Sequence, residues 1–219
     1  MLSEEKIMKI AVINEVSAKE KNPEIVEAIL KSGNEVINVG MAAGINNVEL
    51  TYIHTGLMAG IVLNLGVVDM VVGGCGTGQG FMLSAMQYPK VFCGLILEPL
   101  DAWLFSQING GNCISLALNK GYGWAGKINL EYVFEKLFKD ESGAGYPPER
   151  KESQQISRDR LHKISELSHK TIEEILDTID IEILKTIFAH KPFVDAIRGK
   201  ATNKNLQNYI IKKYLEENK

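Results

Sequence analysis

Cys75 stands between the apolar run Met70-Val71-Val72-Gly73-Gly74 and the stretch Gly76-Thr77-Gly78-Gln79-Gly80. A thiol in that setting can serve as a base or a nucleophile. The run before it reads as a strand. Phe81, Met82, Leu83, Ala85 and Met86 follow at helical spacing. A strand, a glycine-rich turn and a helix put the thiol at the carboxyl end of a strand, where open α/β sheets bind ligands. The glycines let the backbone turn tightly and approach a small molecule closely. The helix start offers free N–H groups and a positive dipole end, which favour anions. The chemistry this suits is a base facing a developing oxyanion. Taken alone, the same turn could hold a dinucleotide, and a cysteine near a strand end is more often a small buried apolar residue.

Alternating strands and helices position this loop. Residues 8–13, 35–39, 69–73, 91–95 and 113–116 read as strands. Helical patterns fill residues 22–33, 51–65, 99–108 and 124–138. Asn22 is the expected cap of the first, with Pro23 at its first position and Gly33 at its end. The pattern predicts a Rossmann-like three-layer α/β/α sandwich with a five-stranded parallel sheet. At Asp140 the texture changes, and Glu141 to Pro148 reads as irregular. Residues 151–178, 180–188 and 203–217 then read as polar helices, with Pro192 and Gly199 as breaks. The expected division is an α/β domain over 1–150 and a helical extension over 151–219. The extension carries too little apolar surface for a core of its own. It is expected to pack on the domain or on a second subunit.

Composition narrows the class. The 219 residues carry a formal net charge of -3, which argues against nucleic acid as a partner. No apolar run approaches the roughly 20 residues of a membrane span. The first residues do not read as a secretory signal. Three cysteines without CxxC spacing support neither a disulfide framework nor a zinc site. A cytoplasmic location is expected. Cys93 and Cys113 read as packing residues, as do Trp103 and Trp124. His162, His169 and His190 read as surface residues.

The loop Cys75-Gly76-Thr77-Gly78-Gln79-Gly80 resembles the active-site loop of the ribose-5-phosphate isomerase B and galactose-6-phosphate isomerase family. The resemblance extends over Asn14-Glu15, over Leu50 to His54 with its Tyr52, and over Asn109-Gly110-Gly111-Asn112. It continues to Gly143–Arg150, covering roughly residues 8–160. It implies aldose–ketose isomerisation through an enediolate, with no metal or other cofactor. Cys75 would be the base. Thr77 and the N–H groups of Gly76, Gly78, Gln79 and Gly80 would stabilise the oxyanion. Asn14, Glu15, Tyr52 and Asn109 would bind the sugar, and Arg150 its phosphate. The resemblance also implies a homodimer or homotetramer with the active site between subunits.

The chain departs from the family pattern at several positions. Leu97 stands where the family's ring-opening histidine is expected, with Glu98 beside it. Val16 replaces a histidine, Asn119 an arginine, and Met86 and Gln87 an asparagine and a lysine. Ring opening would then fall to His54 or Glu98. Alternatively, the substrate is a short sugar phosphate that needs no ring opened. Three other readings compete. One is epimerisation through the same enediolate. Another is a sugar-phosphate-binding partner subunit without turnover. A nucleotide-binding regulator ranks last, because the dinucleotide phasing is missing.

Overall fold

The computed structural model describes residues 7–44 and 48–216. Five strands among them form one parallel sheet: β1 (Lys9–Asn14), β2 (Glu35–Asn38), β3 (Met70–Cys75), β4 (Cys93–Ile96) and β5 (Cys113–Ala117). The order across the sheet is β2-β1-β3-β5-β4. The central strands β1, β3 and β5 are apolar on both faces and almost wholly buried, because helices cover both sides. The edge strands β2 and β4 are partly exposed.

One helical layer holds α1 (Asn22–Lys31), α4 (Pro99–Leu104) and α5 (Gly126–Phe138). Ile25, Ile29, Ala102, Leu130 and Phe134 of these helices pack on Val12, Val72 and Ile114 of the sheet. The opposite layer holds α2 (Tyr52–Leu65) and α3 (Gln79–Ala85). The three layers are those expected from the sequence.

α2 is apolar around its whole circumference, and Leu57, Met58, Ala59, Ile61 and Val62 are all buried. Such a helix needs cover on every side. The sheet and α3 supply part of it. The remainder comes from α7 (Ile172–Thr178), α8 (Ile181–Ala189), α9 (Lys191–Ile197) and α10 (Lys204–Ile210). Ile172, Leu176, Leu184, Ile187, Phe193, Leu206 and Ile210 of these helices share one cluster with α2.

The remaining helix, α6 (Lys151–Ser168), buries only Ser165 and leaves Ile156, Leu161, Ile164 and Leu167 exposed. No helix among the described residues is long and apolar enough to cross a membrane.

Several local expectations are corrected. Asn22 does not cap α1. It lies inside the helix, preceded by a 3-10 turn over Val16–Lys21, and its side chain bonds Asn14 and Asn38. The helix expected over 151–178 is broken at His169, which has extended backbone geometry. Pro192 is not a break: it lies in the first turn of α9, where its missing N–H costs nothing. Trp124 lies outside α5 and is fully exposed. His190 is buried, and its Nε2 bonds the Val39 carbonyl at 3.0 Å, tying the extension to the end of β2.

Candidate active site

The chain runs from β1 to β2 on one side, then returns to β3 on the other side of β1. Beyond the carboxyl ends of β1 and β3 it therefore leaves a crevice, the place where doubly wound sheets take ligands. Asn14 ends β1 opposite Gly74, and Cys75 ends β3 opposite Ala117 of β5. The Cys75 carbonyl accepts the Leu118 N–H at 3.0 Å. Its Sγ lies 3.9 Å from Thr77 Oγ1.

The turn that follows requires glycine at position 78. Gly78 has φ +75°, and a Cβ there would lie 2.6 Å from Leu95 Cδ1 and 3.1 Å from the Ala117 nitrogen. The Gly78 carbonyl accepts the buried Ser115 hydroxyl at 2.5 Å. α3 starts at the next residue, so the Gln79 and Gly80 amides have no intrahelical acceptor. Thr77 and Gln79 are exposed. Tyr52 packs over Gly80, where an added Cβ would come within 3.0 Å of the ring.

A polar chain missed by sequence reasoning holds the other wall. Glu15 is buried and accepts hydrogen bonds from the Ser17 hydroxyl and from the Ser17 N–H. Ser17 Oγ in turn accepts the Gly76 N–H at 3.0 Å. Asn119 completes the chain: its N–H donates to the Gly76 carbonyl at 3.0 Å, and its Nδ2 to the Ser17 carbonyl at 2.9 Å. The Gly76 amide therefore already has a partner, which corrects the expectation that it faces an oxyanion. A lone serine two residues after Glu15 carries no sequence signal for this contact.

Asn14 is also occupied internally. Its Nδ2 donates to the Ala18 and Met41 carbonyls at 3.2 and 2.8 Å, and its Oδ1 accepts from Asn22 Nδ2 at 2.7 Å. It braces the crossover and is fully buried.

His54 lies in the first turn of α2. Its Nδ1 accepts the Thr51 N–H at 3.1 Å, completing a capping box. Nδ1 acts as the acceptor there, so the ring proton sits on Nε2. Burial lowers the pKa of His54. Glu98 is exposed at the end of β4, two strands from Cys75, a lateral offset of about 10 Å at normal strand spacing.

Asn109 and Arg150 lie at the other end of the sheet. Asn109 closes a π-helical turn over Phe105–Asn109, ahead of β5. Both residues line a cavity of about 480 Å³ with Phe92, Cys93, Arg158 and Leu161. Cys93 opens β4, so this cavity is at the amino edge, and one chain does not bring Asn109 and Arg150 to Cys75. Arg158 donates to the Ile108 and Gly143 carbonyls at 2.8 and 2.9 Å and anchors α6. Cys113 faces Cys93 across the strands, and burial pushes its thiol well up, as suits a packing residue.

The model of the ribose/galactose isomerase family matches residues 10–141, which include both walls of the crevice. The chain belongs to the ribose/galactose isomerase family. As a member of it, the protein is a sugar isomerase. A search of curated proteins finds no match. Among solved structures, a 4-deoxy-L-threo-5-hexosulose-uronate ketol-isomerase complexed with a tartrate is 40% identical with a TM-score of 0.89. The alignment covers 94% of this chain and 98% of that one. A ribose-5-phosphate isomerase from Vibrio parahaemolyticus is 42% identical with a TM-score of 0.89, over 94% and 99% of the two chains. The type B ribose 5-phosphate isomerase of Leishmania infantum is 17% identical with a TM-score of 0.63. It covers 74% of this chain and 99% of its own, and shows the shared fold. The family model stops at residue 141, before Arg150 and α6.

Proposed function

We propose that the protein interconverts an aldose and a ketose through a cis-enediolate, with Cys75 as the base. The observation that carries this reading is the placement of the Cys75 thiol at the β1–β3 switch point, beside a turn whose helix-start amides are unpaired. The thiolate takes the proton from the carbon next to the carbonyl and returns it to the former carbonyl carbon. The hydroxyl proton moves between the two oxygens, so no atom is gained or lost. The amides of Gly78, Gln79 and Gly80, with the Thr77 hydroxyl, stabilise the enediolate oxygen. Glu15, Tyr52 and Gln79 contact the sugar. Asn14, and Gly76 through Ser17, shape the site.

The active site is completed between two copies of the chain in a homodimer or homotetramer. The separation of Asn109 and Arg150 from Cys75 supports this, because both are expected to bind substrate yet lie at the amino edge of the sheet. The apolar residues exposed on α6 support it too. Residues 1–150 form the isomerase domain and 151–219 the extension. A cytoplasmic location accords with three free cysteines.

The substrate is an anionic sugar. One relative of about 40% identity is a uronate ketol-isomerase and another is a ribose-5-phosphate isomerase, so either anion has support. Leu97 and the cap role of His54 favour a substrate that enters in open-chain form. Such forms include a tetrose phosphate or a deoxy-hexosulose uronate. The test is proton exchange in D₂O, followed by NMR, with tetrose, pentose and hexose phosphates and uronates. Deuterium incorporation next to the carbonyl by the wild type, lost in Cys75→Ala, is the expected result. Exchange that survives in Cys75→Ala would remove the cysteine base. No exchange with any sugar would favour a binding subunit without turnover.

A further inference from the structure

Trp124 is fully exposed, although its indole is among the largest apolar surfaces a side chain can offer. It lies in the segment between β5 and α5, which is pinned at its first end to the rim of the Cys75 crevice. At one end Asn119 bonds the Gly76 and Ser17 carbonyls. At the other end Gly126 lies against the close of the Val16–Lys21 turn. A Cβ there would stand 3.7 Å from Lys21 Nζ and 3.6 Å from Glu24 Oε2.

Between those ends Tyr122 anchors the segment in one cluster with Leu118 and Leu130, and the Gly126 N–H bonds the Gly123 carbonyl at 2.9 Å across the turn that carries Trp124. Gly121, with φ +84°, and Gly123 have open space where a side chain would be. Tyr122 is buried, but its hydroxyl meets no hydrogen-bond partner, and neither does the buried Oε2 of Glu24. An apolar ring in water is unfavourable, so the turn beyond the Tyr122 anchor gains from whatever covers Trp124.

We infer that Trp124 is the substrate-covering residue of the crevice, carried over the bound sugar by motion at Gly123, beyond the Tyr122 anchor. This rests on the isomerase reading above. Trp124 lies five positions beyond Asn119, which bounds its distance from that rim contact at about 17 Å. The C–H face of a sugar matches an indole face. Covering the enediolate also excludes water, so that the proton held by Cys75 returns to the substrate before it exchanges with solvent.

The test uses a Trp103→Phe background, which leaves Trp124 as the single tryptophan of the two in the chain. Acrylamide quenching of its fluorescence is measured with tartrate and with ribose 5-phosphate, alongside calorimetry on the same samples. On saturation, quenching is expected to fall about threefold and emission to move to the blue, as an indole leaves water. Trp124→Ala should raise KM about tenfold with a smaller change in kcat, while Trp124→Phe keeps most of the affinity. In D₂O the ratio of solvent exchange to turnover should rise severalfold in Trp124→Ala.

Saturable heat with unchanged quenching would overturn the covering role and leave the isomerase reading standing. Trp124 already shielded in the free protein, with smaller species in sedimentation of Trp124→Ala, would also overturn it and assign the indole to a contact between copies. No heat with either probe, and no turnover with any sugar, would remove both readings together.

Discussion

At the residue scale, the site contrasts one thiol with many backbone groups. Cys75 places a thiol at the end of β3, while the proposed oxyanion donors are amides whose direction is fixed by Gly78. Cys75→Ala or Cys75→Ser should therefore lower kcat by about 10²–10⁴ without loss of folding, as read by exchange kinetics and circular dichroism. Ser17 acts through Gly76 and not on the sugar. Ser17→Ala removes the acceptor of the Gly76 N–H, and a neutral hydrogen bond of about 1 kcal/mol corresponds to a loss of roughly fivefold in kcat/KM. A loss as large as that of Cys75→Ala would instead place Ser17 in the chemistry. The glycine-rich loop was legible in the sequence because Gly78 answers a backbone demand there. Ser17 was not, because its role exists only where the turn after β1 meets the turn after β3.

At the element scale, the loop is aimed by the seating of α3 on β3 and α2. Gly73 of β3 faces the Phe81 ring, and a Cβ there would overlap it. Gly56 and Gly60, one helical turn apart on α2, let Ser84 and Tyr88 come against the helix backbone. A Cβ at Gly60 would stand 2.7 Å from Tyr88 Cβ. The contacts at Gly56 and Gly60 lie close to the Ser84 and Tyr88 backbone, and the Phe81 ring against Gly73 is fully buried, so none can relax by moving a free chain end. Gly60→Ala and Gly73→Ala should each destabilise the fold by about 1–3 kcal/mol, measured by urea unfolding. Gly73→Ala should also reduce activity in the folded fraction, because displacing Phe81 turns α3 and its amides. Unchanged stability in both would mean that α3 is not held by this packing. The strands were legible because buried parallel strands are continuous apolar runs. The break at His169 and the start of α9 at Lys191 were not, because a proline or a polar turn reads alike at a helix start and at a helix end.

At the scale of the whole molecule, two predictions concern how distant parts meet. Burial lowers the pKa of His190 and of His54 below the ordinary 6.5. The folded state therefore binds these protons less readily than the unfolded chain. Their contribution to stability is present above pH 6.5 and is lost as pH falls from there through the lowered folded values. Thermal unfolding should show Tm steady near pH 7.5 and declining below pH 6.5. The double variant His54→Gln, His190→Gln should flatten this slope, since glutamine can still accept from Thr51 and donate to Val39. A slope that persists in the double variant would assign it to other groups. The second prediction concerns the assembly. Cys75→Ala and Arg150→Ala should each be inactive alone. Mixed after unfolding and refolding together, they should regain about a quarter of wild-type activity, the share of sites with both residues intact in a random two-fold dimer. No recovery would mean that each chain uses its own Arg150 or none.

The sequence by itself determined the class of the sheet, the place of Cys75 at a strand end and the glycine turn beside it. All three follow from local demands: burial on two faces, the left-handed geometry at Gly78, the helix that must follow. The tertiary structure alone decided that Gly76 is held by Ser17, that His54 is a cap and that His190 is buried where the extension meets the end of β2. It alone put Asn109 and Arg150 at the far edge from Cys75. Those facts depend on which strand lies beside which, and the order β2-β1-β3-β5-β4 is set by packing of the whole chain. No spacing along the sequence encodes it.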